Sequence, residues 1–365
     1  MQNVKGPAAR EIISMSRKSS RFSNAVLKVA AAACLGVTLL ALLAARVHAG
    51  AATPGAPAAM SSDDLRKMFD AGKYQQVQAA SQAALAVQPK DPSLHYWLAR
   101  SSFELGGIDT AVVSAEEACR LDPQKSDFQM WLGRAYGRKA EIESSFFLAR
   151  KTRKAFETAV KLDPSNIEAR RNLEEFYTIA PWILGGSRDK ARQQVDAIAA
   201  IDRQQGILAL ADLYRNAEEP AEARKQFELV LAEHPSQLQY YLEAMDFYQH
   251  ERDALAIARV LDAARTVAPQ DPRLLFYRAV SRVIGGLEVA QAETELKEFI
   301  AVYPGRSDSV SQAEAREWLG NVLEKRGNWR GAAEQYQAAL QLEPYRKRFK
   351  KDFDRAQKEL RKQSS

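Results

Sequence analysis

The sequence is poor in the residues from which disulfide frameworks and metal sites are built: among 365 residues there are 2 cysteines and 4 histidines. Cys34 lies in a segment expected to be removed, which leaves Cys119 alone and without an internal disulfide partner. Its neighbours, Ala118-Cys119-Arg120-Leu121, put it at the phase of a small packed side chain, with a reactive thiol as the alternative. His95, His234 and His250 fall far apart, and no pair has the i, i+4 spacing of a zinc-binding helix. His234, just before Pro235, suits the last-turn carbonyls of a helix end. Also missing are a P-loop, a dinucleotide fingerprint, a Gly-x-Ser-x-Gly elbow and a His-Glu-x-x-His motif. No cofactor and no metal are expected. Acidic pairs such as Glu116-Glu117 and Glu174-Glu175 are read as solvated helix faces.

A uniformly charged body is missing too. The net charge of +6 is concentrated at the two ends, residues 1–49 and 345–365, which carry +6 each. The remainder is therefore 6 − 6 − 6 = −6, which excludes a nucleic-acid-binding body despite the basic total. With 46% hydrophobic and 27% charged residues the chain has the material for a sizeable core. Length alone would allow two or three domains of about 150 residues.

The one long apolar run, Val29–Ala45, follows Lys5, Arg10, Arg17, Lys18, Arg21 and Lys28 and ends near Val47-His48-Ala49. A basic stretch, an apolar run and a small-x-small site make an export signal expected over residues 1–49, with cleavage after Ala49. A helix of this run would be about 25 Å long, short of the roughly 30 Å of a hydrocarbon core, and a retained anchor is the alternative. Either way the rest of the chain is expected outside the cytoplasm, periplasmic or secreted, or anchored in the inner membrane. A start at Met15 would leave a more usual basic region. Cys34 stands too early in the apolar run to be a lipidated cysteine. Residues 50–60, rich in Ala, Pro and Gly, read as a flexible linker.

From residue 61 onward the chain repeats. Pro89, Pro123, Pro164, Pro235, Pro269, Pro304 and Pro344 recur at gaps of 34, 41, 71, 34, 35 and 40 residues. Several follow the same helix ending, as in Ala-Cys-Arg-Leu-Asp-Pro and Ala-Val-Lys-Leu-Asp-Pro. Trp318-Leu319-Gly320, Leu323, Gly327, Trp329, Ala332, Tyr336, Ala339-Leu340 and Pro344 form the fullest unit. Leu98-Ala99, Gly106, Ala111, Ala118 and Pro123 form another, as do Leu210-Ala211, Tyr214, Ala223, Phe227 and Pro235. Trp131-Leu132-Gly133 with Tyr136 opens a further one. This pattern resembles the tetratricopeptide repeat family over residues 61–344. The resemblance implies an all-α fold: a right-handed superhelical solenoid of about eight helix hairpins, each burying its apolar face against its neighbours.

Departures from the repeat are expected to matter. The third unit has about seven extra residues near Ala140–Phe147, and the fourth carries the insertion Ala180–Ser187. The fourth closes on Ile201-Asp202-Arg203 without proline, the seventh turns at Gly285-Gly286, and Gly305–Val310 lengthens the next connection. Residues 345–365 put Phe349, Phe353, Ala356 and Leu360 on one stripe of a basic helix. They are expected to cap the solenoid, with a weak contact to anionic lipid, envelope glycan or an acidic partner as the alternative.

In such arrays the first helix of each hairpin lines the concave groove. At one phase the sequence places Arg66, Arg100 and Arg134, each 34 residues apart, and later Asp212 and Asp246, again 34 apart. Tyr96, Phe103 and Met130 flank them. A groove basic in its first half and acidic in its second is the expectation. Like charges about 10 Å apart in water repel by only about 0.4 kcal/mol, so the ladder is equally compatible with a solvated face. The chaperone carboxylate clamp known in the family is not implied, because Tyr96, Met130 and Arg100 occupy the corresponding places. Pro181, Trp182, Ile183 and Leu184 either plug the neighbouring helices or form a sticky contact. Gly185-Gly186-Ser187-Arg188 reads as a helix cap, with an anion cradle as the alternative.

The function these features imply is a non-catalytic scaffold or assembly factor of a bacterial cell envelope that holds a peptide segment or partner protein in its groove. The alternatives are a self-associating structural protein that uses the Pro181–Gly186 loop or the array surface, and an enzyme with a site assembled across repeats. Expected partners are proteins or peptides, with homo-oligomers also compatible. No nucleic acid is expected, and membrane contact only through an uncleaved signal or the basic C-terminus.

Overall fold

The computed structural model of the chain describes residues 60–307 and 309–363. The expected signal, its cleavage site, Cys34 and nearly all of the linker lie outside the described residues. Those residues form one compact unit of 17 α-helices, with no strand among them. The chain is an all-α helical repeat solenoid.

Eight hairpins follow one another. They are α1 (Ser62–Asp70) with α2 (Tyr74–Val87), α3 (Pro92–Glu104) with α4 (Ile108–Leu121), α5 (Ser126–Glu143) with α6 (Phe146–Leu162), and α7 (Ile167–Ile179) with α8 (Arg188–Ile201). Then come α9 (Arg203–Asn216) with α10 (Pro220–Ala232), α11 (Leu238–His250) with α12 (Ala254–Val267), α13 (Arg273–Gly285) with α14 (Val289–Val302), and α15 (Gln312–Lys325) with α16 (Trp329–Leu342). A last helix, α17 (Lys347–Gln363), packs on α16 and buries Phe349 and Ala356.

Local chemistry starts these helices. Ser61 and Asp64 bond reciprocally as a capping box before α1. Asp91, Asn166, Asp253, Ser311 and Asn328 each accept a hydrogen bond from a first-turn N–H of their own helix. Asp202 ends α8 and caps α9 at once, taking the Gln205 N–H at 2.9 Å. That dual role is why the fourth unit closes without proline. After α10, His234 takes the left-handed conformation, with φ of 51°, and its own N–H bonds the Leu231 carbonyl. Its backbone, rather than its ring, performs the expected closure.

Packing repeats with the sequence. A Cβ at Gly320 would lie 2.5 Å from the Tyr336 ring, and one at Gly133 would run into Phe156. In both hairpins the glycine on the first helix admits the aromatic side chain of the second. Successive hairpins are also stitched by a tyrosine that bonds a glutamate 20 residues earlier. Tyr177 donates to Glu157 at 2.9 Å, and Tyr136 and Tyr248 donate to Glu116 and Glu228 in the same way. Cys119 is buried, and burial pushes its thiol up to about 12, so it is the packed residue its phase suggests.

The extra residues of the third unit do not form a loop. They lengthen α5 to 18 residues and α6 to 17, where the other hairpin helices from α2 onward have 13 or 14. The insertion in the fourth unit forms a single 3-10 turn, Trp182–Leu184. Ser187 caps α8, and Arg188 forms a two-pronged pair with Glu219, so these groups are engaged within the protein.

The array also meets itself. The segment after α14 reaches the first hairpins: the Tyr74 hydroxyl donates to the Gly305 carbonyl at 2.8 Å, and Ser307 donates to Glu104 from both N and Oγ, at 2.9 and 2.7 Å. Pro304 lies directly on Gly72, where no side chain would fit. Near the C-terminal end, the Arg138 guanidinium stacks on Tyr345, 4.7 Å from its ring centre.

Candidate functional site

The first helices of the hairpins, joined by α6, enclose two adjoining cavities, roofed in part by this returning segment. The first, of about 590 Å³, is a charged chamber. Arg171 of α7 bridges Asp212 of α9 and Glu243 of α11, bonding Glu243 at 3.0 Å. Arg215, one turn on from Asp212, pairs with it at 2.8 Å and with Asp246 at 3.2 Å. Burial alone would raise the Asp212 carboxyl, but Arg215 and Arg171 hold it below the usual range. Glu174 has no such cation to itself. It is 1% exposed, and burial, reinforced by Asp212, pushes its carboxyl up to about 8. The Thr178 hydroxyl donates to it at 2.8 Å. Across the chamber, burial and then Asp246 push Glu314 up, and Gln249 donates to it at 2.6 Å.

The second cavity, of about 730 Å³, opens where α5 and α6 are long. Phe103, Phe156, Phe176 and Ile179, with Thr152, form a largely apolar floor, and Gly133 and Gly137 also line it. Arg134, Arg138 and Arg346 stand among its walls. Arg134 pairs with Glu168 at 3.1 Å and bonds Asn172 at 3.1 Å. Arg138 reaches Glu141 at 3.6 Å, and Arg346 pairs with Glu343 at 3.1 Å. Arg134, Asn172, Glu175 and Ser307 border both cavities.

The residues expected to line one groove are therefore divided. Arg134, Asp212 and Asp246 line the charged chamber, and Phe103 and Arg134 the apolar one. Arg66 stands apart on the outer surface, paired with Asp63 at 2.9 Å. Met130 is 1% exposed and belongs to the core, so it does not face a groove. Tyr96 packs on Trp97 and Phe128 and accepts a hydrogen bond from Arg100. Arg100 is caged by Phe69, Trp131, Trp97 and Tyr96, its guanidinium carbon 4.2 to 5.3 Å from their ring centres. It is a packing cation. Leu184 is buried as a plug, while Pro181, Trp182 and Ile183 are exposed.

Two expectations need correction. The groove does not change from basic to acidic along its length, because Arg171 and Arg215 neutralise the aspartates from across the chamber and from the next helical turn. Nor is Glu174-Glu175 simply a solvated face, since Glu174 is buried against Thr178. Sequence reasoning missed Arg138, Arg171, Arg215, Glu243 and Arg346. Arg138 and Arg215 could have been found at i+4 from Arg134 and i+3 from Asp212. Arg171 lies off the ladder, because the longer third unit puts the position equivalent to Arg134 at Glu175, 41 residues on. Ser307 comes from a connection with no periodic signal.

Family models for the tetratricopeptide repeat match residues 69–126 and 313–346, the second and eighth hairpins among them. The chain is a tetratricopeptide repeat protein. Repeats of this family make protein-interaction scaffolds, typically non-catalytic ones. No curated protein matches the chain. Similar solved structures include a tetratricopeptide repeat protein from Parabacteroides merdae, with a TM-score of 0.46 and 15% identity, covering 73% of this chain and 98% of that one. Another is the APC/C hetero-tetramer Cut9–Hcn1, with a TM-score of 0.44 and 13% identity over 81% of this chain and 54% of that one. PilF of Pseudomonas aeruginosa has a TM-score of 0.35 and 18% identity, over 59% and 93%.

Proposed function

We propose that the chain is a scaffold or assembly factor that holds a segment of a partner protein in the apolar cavity. The observation that carries this is the combination of an apolar floor with Arg134, Arg138 and Arg346 around it. Such a site takes an apolar side chain while its cations meet a neighbouring carboxylate, from an acidic residue or a chain terminus. The cations of the charged chamber are bridged to carboxylates that are buried or largely buried, so it serves as a stiff wall beside the site. Glu168 and Glu141, the partners of Arg134 and Arg138, are instead about half exposed and can be exchanged for a ligand's carboxylate. The proposed setting is the exported side of a bacterial envelope, supported by the basic stretch, apolar run and small-x-small site of residues 1–49. The mature N-terminus tests that setting: a chain starting at Gly50 supports export with cleavage, and a cytoplasmic chain starting at Met1 contradicts it.

The binding role is tested by selecting peptides from a random library on the full chain. Peptides pairing a large apolar residue with an acidic one are expected. Replacing both Arg134 and Arg138 by Glu is expected to weaken their binding by about tenfold or more. Unchanged affinity in that variant would contradict the assignment.

A further inference from the structure

Six of the fourteen exposed large apolar side chains among the described residues, including every exposed aromatic one of them, fall at one edge. Ile142, Phe146, Phe147, Ile179, Trp182 and Ile183 are all open to water, Trp182 at 85% and Phe147 at 69%. All six come from the lengthened third hairpin or from the end of α7 and the insertion behind it. These pieces adjoin. The Arg153 guanidinium of α6 donates to the Leu184 carbonyl at 2.9 Å, which pins the insertion to α6. Ile179 and Pro181 border the same cavity as Ala140 and Glu141 of α5 and Ala149 of α6. Leu184 and the left-handed Gly185 hold the 3-10 turn in place while Trp182 and Ile183 point outward.

The same edge is basic. Along α6, Arg150, Lys151, Arg153, Lys154 and Lys161 stand against Glu157 alone, a balance of +4. Arg150 and Lys154 share the outward side of the helix with Phe146 and Phe147, and among the described residues no carboxylate pairs with either. The acids nearby are mostly engaged: Glu141 with Arg138, Glu143 with Lys139 and Glu157 with Arg153, at 3.6 to 3.7 Å. Asp189 at the start of α8 is the exception.

We infer that this edge docks on the surface of an anionic phospholipid bilayer, with Phe146, Phe147, Trp182 and Ile183 entering the headgroup region and Arg150 and Lys154 meeting lipid phosphates. Two features favour lipid over a second copy of the chain. The aromatic groups project as separate knobs, which a fluid interface accommodates and a flat protein face does not. A two-fold contact would set the free cations of α6 against their own copies. Among the described residues no helix is long and apolar enough to cross a membrane.

The test uses the full chain with vesicles of phosphatidylglycerol and phosphatidylcholine carrying brominated acyl chains, which quench tryptophan that reaches them. Quenching of Trp182 is expected, read as the part of the signal lost in Trp182→Phe. With phosphatidylcholine alone, or with Arg150→Glu plus Lys154→Glu, that part should require about tenfold or more lipid. These substitutions are on the outer surface, and an unchanged melting temperature confirms that the fold is intact. Trp182 left unquenched in bound chain would overturn the inference, as would equal quenching with neutral lipid. Concentration-dependent dimerisation abolished by Trp182→Ala, without quenching, would assign the edge to self-association instead.

Discussion

At the scale of single residues, burial decides what a charge does. Arg100 and Arg134 hold equivalent places in successive units, yet Arg100 is enclosed by four aromatic rings and Arg134 borders both cavities. Arg100→Glu should therefore lower stability by about 2 kcal/mol or more in a denaturant titration, because it places a carboxylate among ring faces that attract cations. Arg134→Glu, which can still reach water, should cost much less. Glu174 provides a pH signature. Its carboxyl is pushed up to about 8 in the folded chain, above the ordinary carboxylate value of 4.5, so the folded chain binds the proton more tightly than the unfolded one. Its contribution to stability is then complete below about pH 4.5 and lost as the pH rises through 8. Glu174→Gln keeps the hydrogen bond from Thr178 and has no charge to bury. It should be on the order of 2 kcal/mol more stable than the parent at pH 8 and little different at pH 4.5. An equal effect at both pH values would contradict the burial of that carboxylate.

At the scale of elements, the hairpins are held by a few contacts repeated with the unit. Gly320→Ala should destabilise by about 1–3 kcal/mol, since the added methyl meets the ring of the fully buried Tyr336. A melting temperature equal to the parent's would show that the pair is looser than described. The helices and their order were legible because the apolar spacing, the capping residues and the closing prolines recur together. Gly133 and Gly320 were legible as one recurring Trp-Leu-Gly position, though not the ring that each admits. The extra residues of the third unit were legible as a departure but not as longer helices, because no cap or proline marks where α5 must stop. The fourth insertion was left between plug and contact, and its residues divide: Leu184 is the plug and Trp182 is exposed.

At the scale of the whole array, the contacts that matter come from segments far apart in sequence. Tyr74 with Gly305 and Glu104 with Ser307 span more than 200 residues, and no local pattern announces such partners. The apolar cavity is equally non-local. Its floor comes from α3, α5, α6 and α7, and Arg346 arrives from beyond α16. Among its lining, Phe103 and Arg134 were singled out from the ladder and Pro181 and Leu184 from the insertion, since a periodic ladder identifies a helix face but not what returns to cover it. Replacing Glu104 by Gln and Tyr74 by Phe should loosen this cover and speed amide exchange over residues 303–307, while leaving the helical signal of the array intact.

In the proposed function a partner segment is held in the apolar cavity, and the direct test is isothermal titration of a library-selected peptide into Gly137→Leu. A Cβ at Gly137 would make ordinary contact with Thr152 and Gly137 lines the cavity, so the rest of the leucine side chain is expected to enter the cavity. Loss of detectable binding, with the melting temperature unchanged, is the predicted result. Binding with the parent's affinity would contradict the account.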